Sequence, residues 1–258
     1  MNTPPCRQQT LNVLITRPEH KSQALVELLA TQNIHAIGQP LFDYQAYTDQ
    51  QTIEAAVEHA DILIFVSVPA VAFANKQYSL AQQNDKTILA VGNATKNALH
   101  NLGLSHASSP TLENSEGLLA LETLADVKGK NIVIFRGDGG RELIADTLKA
   151  RGANLSYIES YQRVWRTFAK NIAQQWQQQQ INCIVVTSNA ILNKLVALIN
   201  VNKTSGESQQ NEQYWLTDCI WLVASERIAD NAKKLGLTKV INMQGASDTL
   251  ICQQLRQL

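Results

Sequence analysis

The sequence lacks a charge of one sign. Its 22 Lys and Arg are matched by 22 Asp and Glu, and charged residues make up only 17% of 258. Such a chain has no global field to hold nucleic acid or an anionic membrane, so an anionic ligand must be met by local geometry. Long apolar runs are missing too, and none reaches the ~18 residues of a membrane span. The polar stretch Met1 to Thr10, with Pro4-Pro5, has no signal-type apolar segment and reads as a short disordered lead-in. Cysteine is sparse: Cys6, Cys183, Cys219 and Cys252 show no metal-ligand spacing. Together these features predict a cytoplasmic protein with reduced thiols. His20, His35, His59, His100 and His106 are dispersed, and no motif pairs one with a Ser or Cys. No carboxylate pair or metal cluster stands out, so nucleophilic and metal catalysis find no support. Neither a metal nor a cofactor is expected.

What is present is apolar material in short runs, 45% of the chain overall. Ile62 to Val66, Ile88 to Val91, Ile132 to Phe135, Ile184 to Val186 and Ile220 to Val223 are unbroken rather than alternating. Runs of this kind suit parallel strands covered on both faces. Helical patterns of ten to fifteen residues lie between them, which predicts α/β units and doubly wound parallel sheets. Gln174 to Gln180 reads as a surface helix with Trp176 buried, and Asn200 to Gln213 as a polar loop.

The units repeat. Val13 to Pro18 and Ile132 to Gly137 are each an apolar strand ending in an arginine, followed by an amphipathic helix. The middle of the chain runs Phe65-Val66-Ser67, Ala90-Val91-Gly92-Asn93, Ser115-Glu116-Gly117, Phe135-Arg136-Gly137. The last third answers with Val186-Thr187-Ser188, Val223-Ala224-Ser225, Ala246-Ser247-Asp248, and its missing fourth unit is the N-terminal one with Arg17. One copy is therefore split around the other. The expected domains are 1–38 with 166–258, and 42–162, joined by two connecting strands near 39–41 and 163–165. A cleft between two such domains would suit one large ligand.

Small or polar residues recur where strands give way to helices: Ser67, Gly92-Asn93, Ser115, Gly137 to Gly140, Thr187-Ser188, Ser225 and Ser247. Helix first turns beyond the carboxyl ends of parallel strands attract anions. The same residues also serve as plain N-caps, and one site alone cannot decide between the two. Arg136-Gly137-Asp138-Gly139-Gly140-Arg141 lacks the dinucleotide spacing and the NTPase lysine. It offers a close-approach loop with two guanidinium groups suited to carboxylates, although Arg141 also reads as a surface residue. Tyr161, at a predicted crossing, is a candidate acid or a packed strand residue.

Taken in order, Leu14-Ile15-Thr16-Arg17-Pro18, Ala90 to Thr95, Ser115 to Leu119, Arg136 to Leu143, Thr187-Ser188-Asn189-Ala190 and Ser225 to Ala229 resemble the uroporphyrinogen-III synthase family over nearly the whole chain. The resemblance implies two similar doubly wound α/β domains on a two-stranded linker. It implies dehydrating cyclisation of hydroxymethylbilane, a linear tetrapyrrole, through an azafulvene-type cation and a spiro intermediate. Ring D is inverted to give uroporphyrinogen III. It implies no cofactor, no nucleic-acid or membrane partner and a monomer, and leaves open transient contact with hydroxymethylbilane synthase. Tyr161 matches the family tyrosine proposed to assist loss of the hydroxyl, and Thr95 a family threonine. Arg17, Ser67, Gly92, Asn93, Ser115, Arg136, Gly137, Gly139, Arg141, Thr187, Ser188 and Ser225 are the expected substrate contacts. The chain departs from the family pattern at Val68-Pro69, Asp138 and Ala224. A two-domain binding or sensor protein for a small anionic ligand is the alternative.

Overall fold

The computed structural model describes residues 10–47, 50–83, 85–139, 142–200 and 213–258. The N-terminal lead-in through residue 9, Gly140-Arg141 and nearly all of the polar stretch 200–213 lie outside these. The chain forms two compact units. The split unit runs up to Asp43 and resumes at Trp165; the inserted unit is Tyr44–Val164. None of the described helices is long and apolar enough to cross a membrane.

The split unit is built on a five-stranded sheet. Its strands, numbered along the whole chain, are β1 (Asn12–Ile15), β2 (His35–Gly38), β8 (Cys183–Val186), β9 (Ile220–Val223) and β10 (Val240–Asn242). They lie in the order β10-β9-β8-β1-β2, all parallel. The central strands are the unbroken apolar runs, because both their faces are covered. Helices α1 (Glu19–Ala30) and α10 (Asp248–Leu255) cover one face, packing Leu25, Leu29 and Ile251 on Val13, Ile15, Cys183 and Val185. Leu14, Ile184, Val186 and Trp221 alternate away from that cluster and are also fully buried. Helices α7 (Ile172–Gln178), α8 (Asn189–Asn200) and α9 (Glu226–Lys234) complete the unit, and Trp176 of α7 is buried edge-on to Trp215.

The inserted unit has β3 (Phe42–Ala46), β4 (Ile62–Phe65), β5 (Thr87–Ala90), β6 (Asn131–Gly137) and β7 (Asn154–Trp165), in the order β3-β7-β6-β4-β5. The strands from β5 to β7 are parallel. Strand β3 runs against β7, since Tyr47 N–H donates to Ser160 O while Arg166 N–H donates to Leu41 O. Both unit boundaries fall within these two strands. One face carries α2 (Gln50–Glu58), α3 (Val68–Gln77) and α4 (Asn93–His100) over Leu63, Phe65, Val133 and Phe135. The other carries α5 (Ser115–Leu119) and α6 (Leu143–Ala150) over Ile62, Ile64, Ile132 and Ile134.

Apart from β3, which has no counterpart among the described strands, the two sheets correspond. Beyond β5, Ser108 forms a single parallel bridge to Leu89, in the place β10 holds beside β9. The series Ser108-β5-β4-β6-β7 then matches β10-β9-β8-β1-β2. The inserted unit makes the outward run β4, β5, Ser108 first and β6, β7 second. The split unit makes them in the opposite order. Arg17, two residues beyond β1, and Arg136, next to last in β6, are thus counterparts.

Candidate active site

Tyr161 is placed by an irregularity in β7. Arg136 lies opposite Glu159, but the next residue, Gly137, lies opposite Tyr161, so Ser160 is the extra residue of a bulge. Strand side chains alternate between faces, and one inserted residue reverses that alternation. Without it Tyr161 would join Tyr157 and Glu159 on the α5–α6 side. With it the ring packs on the α2–α3–α4 side, 5% exposed, edge-on to Tyr44 at 4.9 Å and beside Phe73 at 5.8 Å. Ser160 Oγ secures the bulge within reach of the Ala70 and Arg136 carbonyls, at 3.2 and 3.3 Å. Gly137 admits the ring: a Cβ there would lie 2.6 Å from Tyr161 Cζ. The phenol oxygen is 3.1 Å from Ser67 Oγ, which caps α3 by accepting from Ala70 N–H at 3.2 Å. Pro69 sits in the first turn of α3, where its missing N–H costs no helical bond. Burial pushes the Tyr44 phenol up; Tyr161 adds to this and Arg163 opposes it.

Across the sheet, Arg136 is already engaged. Its Nη1 donates to Glu142 at 2.7 Å and its Nη2 to Glu159 at 3.1 Å, and the guanidinium lies over the Tyr157 ring, 3.7 Å from its centre. Tyr157 donates to the second oxygen of Glu142. That bond, then the one from Arg136, holds Glu142 below the usual carboxylate range. Burial, then the bond to Glu142, pushes Tyr157 up to about 12. Arg136 Nε is buried and finds no partner among the described residues. Arg136 borders a cavity of about 150 Å³, walled by Val66, Val91, Ile134 and Ile144, with Ser115, Gly139 and Tyr157 also lining it. Asp138 accepts from Arg163 N–H at 3.2 Å, so this departure from the family pattern braces the strand end. Arg141 lies outside the described residues.

At the start of α4 the chain supplies its own anion. Glu113 accepts from Asn93 N–H at 2.9 Å and from the Asn93 side-chain amide at 2.7 Å. Gly92 lets it in, since a Cβ there would come 2.6 Å from the Glu113 carboxylate. Thr95 is buried in the same first turn. Helix α5 is capped by Asn114, which accepts from Gly117 N–H at 2.8 Å, so Ser115 is the first helical residue rather than the cap.

In the split unit Arg17, 8% exposed, is ion-paired with Asp248 at the start of α10. Ser188 caps α8 by accepting from Ile191 N–H at 3.3 Å, with half-buried Thr187 beside it. Ser225 stands at the cap position of α9, yet its side chain makes no capping bond. The structure therefore brings Tyr161, Ser67 and Gly137 into contact, sets Arg136, Gly139 and Ser115 around one cavity, and joins Gly92 and Asn93 to Glu113. Sequence reasoning missed Glu113, Glu142, Glu159 and Asp248, the carboxylates that hold these groups. Only Asp248 carried a signal, its place in the repeated unit.

A model of the family described as uroporphyrinogen-III synthase HemD matches residues 23–251. The uroporphyrinogen-III synthase of Escherichia coli strain K12 is 36% identical over 236 residues, covering 88% of this chain and 92% of that protein. The chain belongs to the uroporphyrinogen-III synthase family. The uroporphyrinogen-III synthase of Salmonella typhimurium is 35% identical over 234 residues, again covering 88% and 92%. Among solved structures, uroporphyrinogen-III synthetase of Helicobacter pylori has a TM-score of 0.58 at 11% identity, over 96% of this chain and 98% of that one. A mutant uroporphyrinogen III synthase of Thermus thermophilus has 0.57 at 12%, with the same coverage. At those identities the structures show the shared fold. Membership of the synthase family favours an enzyme over a binding or sensor protein for a small anionic ligand.

Proposed function

We propose that this chain converts hydroxymethylbilane to uroporphyrinogen III, with loss of water and inversion of ring D, and that Tyr161 donates the proton to the departing hydroxyl. The observation that carries the acid role is the Tyr161 phenol itself: its ring is packed, while its oxygen lies against Ser67 where β4 meets α3. A phenol keeps its proton at neutral pH and is a workable acid when held at a fixed point. Thr95 is proposed as its catalytic companion from the first turn of α4. Each unit contributes proposed carboxylate contacts of its own. In the inserted unit these are Ser67, Gly92, Asn93, Ser115, Arg136, Gly137, Gly139 and Arg141. In the split unit they are Arg17, Thr187, Ser188 and Ser225. Helix first turns hold carboxylates without net protein charge, which agrees with a neutral chain. We place the reaction in the cytoplasm, in a monomer making at most transient contact with hydroxymethylbilane synthase.

The test is a coupled assay from porphobilinogen with hydroxymethylbilane synthase present. The protein should turn the product from isomer I to isomer III; an unchanged isomer ratio sinks the proposal. Tyr161→Phe should lower turnover by about 10²-fold or more, the scale of a general acid, with the melting temperature retained. Near-normal turnover would take the acid role from Tyr161.

A further inference from the structure

We infer that Ser67 is a positioning residue for Tyr161, aiming the phenol and stabilising through its own O–H the charge that proton donation leaves on the phenol oxygen. This rests on the reading of Tyr161 as the acid.

A serine hydroxyl has one proton to donate and two lone pairs to accept with. One lone pair of Ser67 is used by Ala70 N–H at 3.2 Å, and the phenol oxygen lies 3.1 Å away. The Ser67 proton and second lone pair are thus both available to the phenol, so the contact can reverse. Ser67 can accept from the neutral phenol and donate to the phenolate without either group moving. Two features bias it towards donation. The Ala70 N–H already draws density from Oγ, and the N-terminus of α3, a ten-residue helix, places partial positive charge beside it. The ring cannot swing to find another partner. Gly137 lies against its phenol end, Tyr44 meets it edge-on and Phe73 flanks it.

The proton accounting is closed. The Tyr161 O–H bond breaks and its proton passes to the substrate hydroxyl. The carbon–oxygen bond then breaks with its electron pair leaving in water. Positive charge remains on the substrate carbon and negative charge on the phenol oxygen, facing Ser67. Ring closure later releases a proton from the substrate, which restores the phenol. A role in binding substrate carboxylates would use Ser67 as a direct contact. The observed geometry directs its side-chain oxygen to the phenol, so the carboxylate contact proposed at Ser67 falls to its backbone N–H.

Four variants in the coupled assay test this: Ser67→Ala, Ser67→Thr, Tyr161→Phe and the Ser67→Ala/Tyr161→Phe double. Ser67→Ala should lower kcat on the order of 10²-fold, as loss of one preorganised donor does, with KM little changed. Ser67→Thr keeps the hydroxyl and should restore most of the rate. In the Tyr161→Phe background, Ser67→Ala should add less than about twofold, because the residue it serves is gone. Ser67→Gly, which helix caps tolerate far better than alanine, should repeat the loss if Ser67→Ala folds poorly. A normal kcat in both Ser67→Ala and Ser67→Gly overturns the inference. So does a change confined to KM, or a loss of the same size in both backgrounds; each of these leaves the acid role of Tyr161 standing. A normal rate in Tyr161→Phe instead removes the acid and this inference together.

Discussion

Arg17 and Arg136 hold corresponding places at the carboxyl ends of β1 and β6, yet they are managed differently. Arg17 meets Asp248, the first residue of α10 after its Ser247 cap. The corresponding residue in the inserted unit, first in α5 after its Asn114 cap, is Ser115. A serine there neither fills the space nor neutralises the charge. Arg136 turns to Glu142, Glu159 and the Tyr157 ring instead, and the cavity remains between it and Ser115. Charge pairing closes one strand end, while side-chain shortening keeps the other hollow. The next position differs as well: Pro18 follows Arg17, whereas Gly137 follows Arg136 and receives the Tyr161 ring. One duplicated frame thus carries a braced strand end and an accommodating one.

The sharpest way to break that contrast is Gly137→Ala. A methyl group would overlap two ring carbons and the phenol oxygen of Tyr161, all within 2.9 Å. Turnover should fall by about 10²-fold, from a displaced acid, and stability by about 1–3 kcal/mol, from overpacking; kcat and thermal unfolding read the two effects. Unchanged kinetics would mean that the ring position is irrelevant. Next comes the exchange of the counterpart residues. Ser115→Asp should close the cavity by giving Arg136 the partner Arg17 has, raising KM about tenfold, the effect of one added repulsive charge. Asp248→Ser should leave a mostly buried guanidinium unpaired and lower unfolding stability by about 2 kcal/mol, less than a fully buried pair because Asp248 is part-exposed. If Ser115→Asp leaves KM alone, the cavity takes no part in binding.

Glu113→Ala should have a smaller effect, freeing the start of α4 and lowering KM about twofold to fivefold, the worth of one charge at a helix terminus. A raised KM would make Glu113 a support rather than an obstacle. The smallest effect concerns pH. Glu142 is depressed first by its bond from Tyr157, so the stability it adds is present above its ordinary value of 4.5 and fades as pH falls through its lower folded value. Tyr157→Phe should move the acid unfolding midpoint up, as the folded value of Glu142 returns towards 4.5. At the other end, the raised Tyr157 adds stability that is full below 10.0 and lost as pH rises towards about 12. Acid and alkaline unfolding curves of wild type and Tyr157→Phe compare both limbs, and identical curves would leave the Glu142–Tyr157 bond without thermodynamic weight.

Much of this architecture is legible in the sequence, because the central strands are covered on both faces and so spell unbroken apolar runs. Val13 to Ile15, Ile62 to Phe65 and Ile184 to Val186 could hardly be anything else. The edges are less legible. Strands β2 and β10 are short and only partly buried, and β7 begins seven residues before Tyr161 in a polar alternating stretch, Asn154 to Tyr157. Among the candidate residues, Ser67 and Ser188 are helix caps, as their residue type suggested. The face on which Tyr161 lies was not legible, since it depends on a bulge whose only mark is an extra buried serine. The carboxylates were hidden for a related reason. Glu159 reaches Arg136 across a strand pair, and Glu113 reaches α4 through a turn twenty residues further on. Residue type suggested which groups could bind an anion, and tertiary contact decided which of them already hold one.

The split of one sheet around the other also has a consequence in time. β1 and β8 pair across a separation of about 170 residues, marked by the bond between Asn12 and Asn182. As the chain leaves the ribosome, β1, α1 and β2 emerge first and have no third strand to join. The inserted unit can close on itself before β8 exists. The apolar faces of Val13, Leu14, Ile15, Leu25 and Leu29 must therefore wait through the synthesis of the other unit, which makes this first segment the place where a nascent chain is most open to aggregation or to a chaperone.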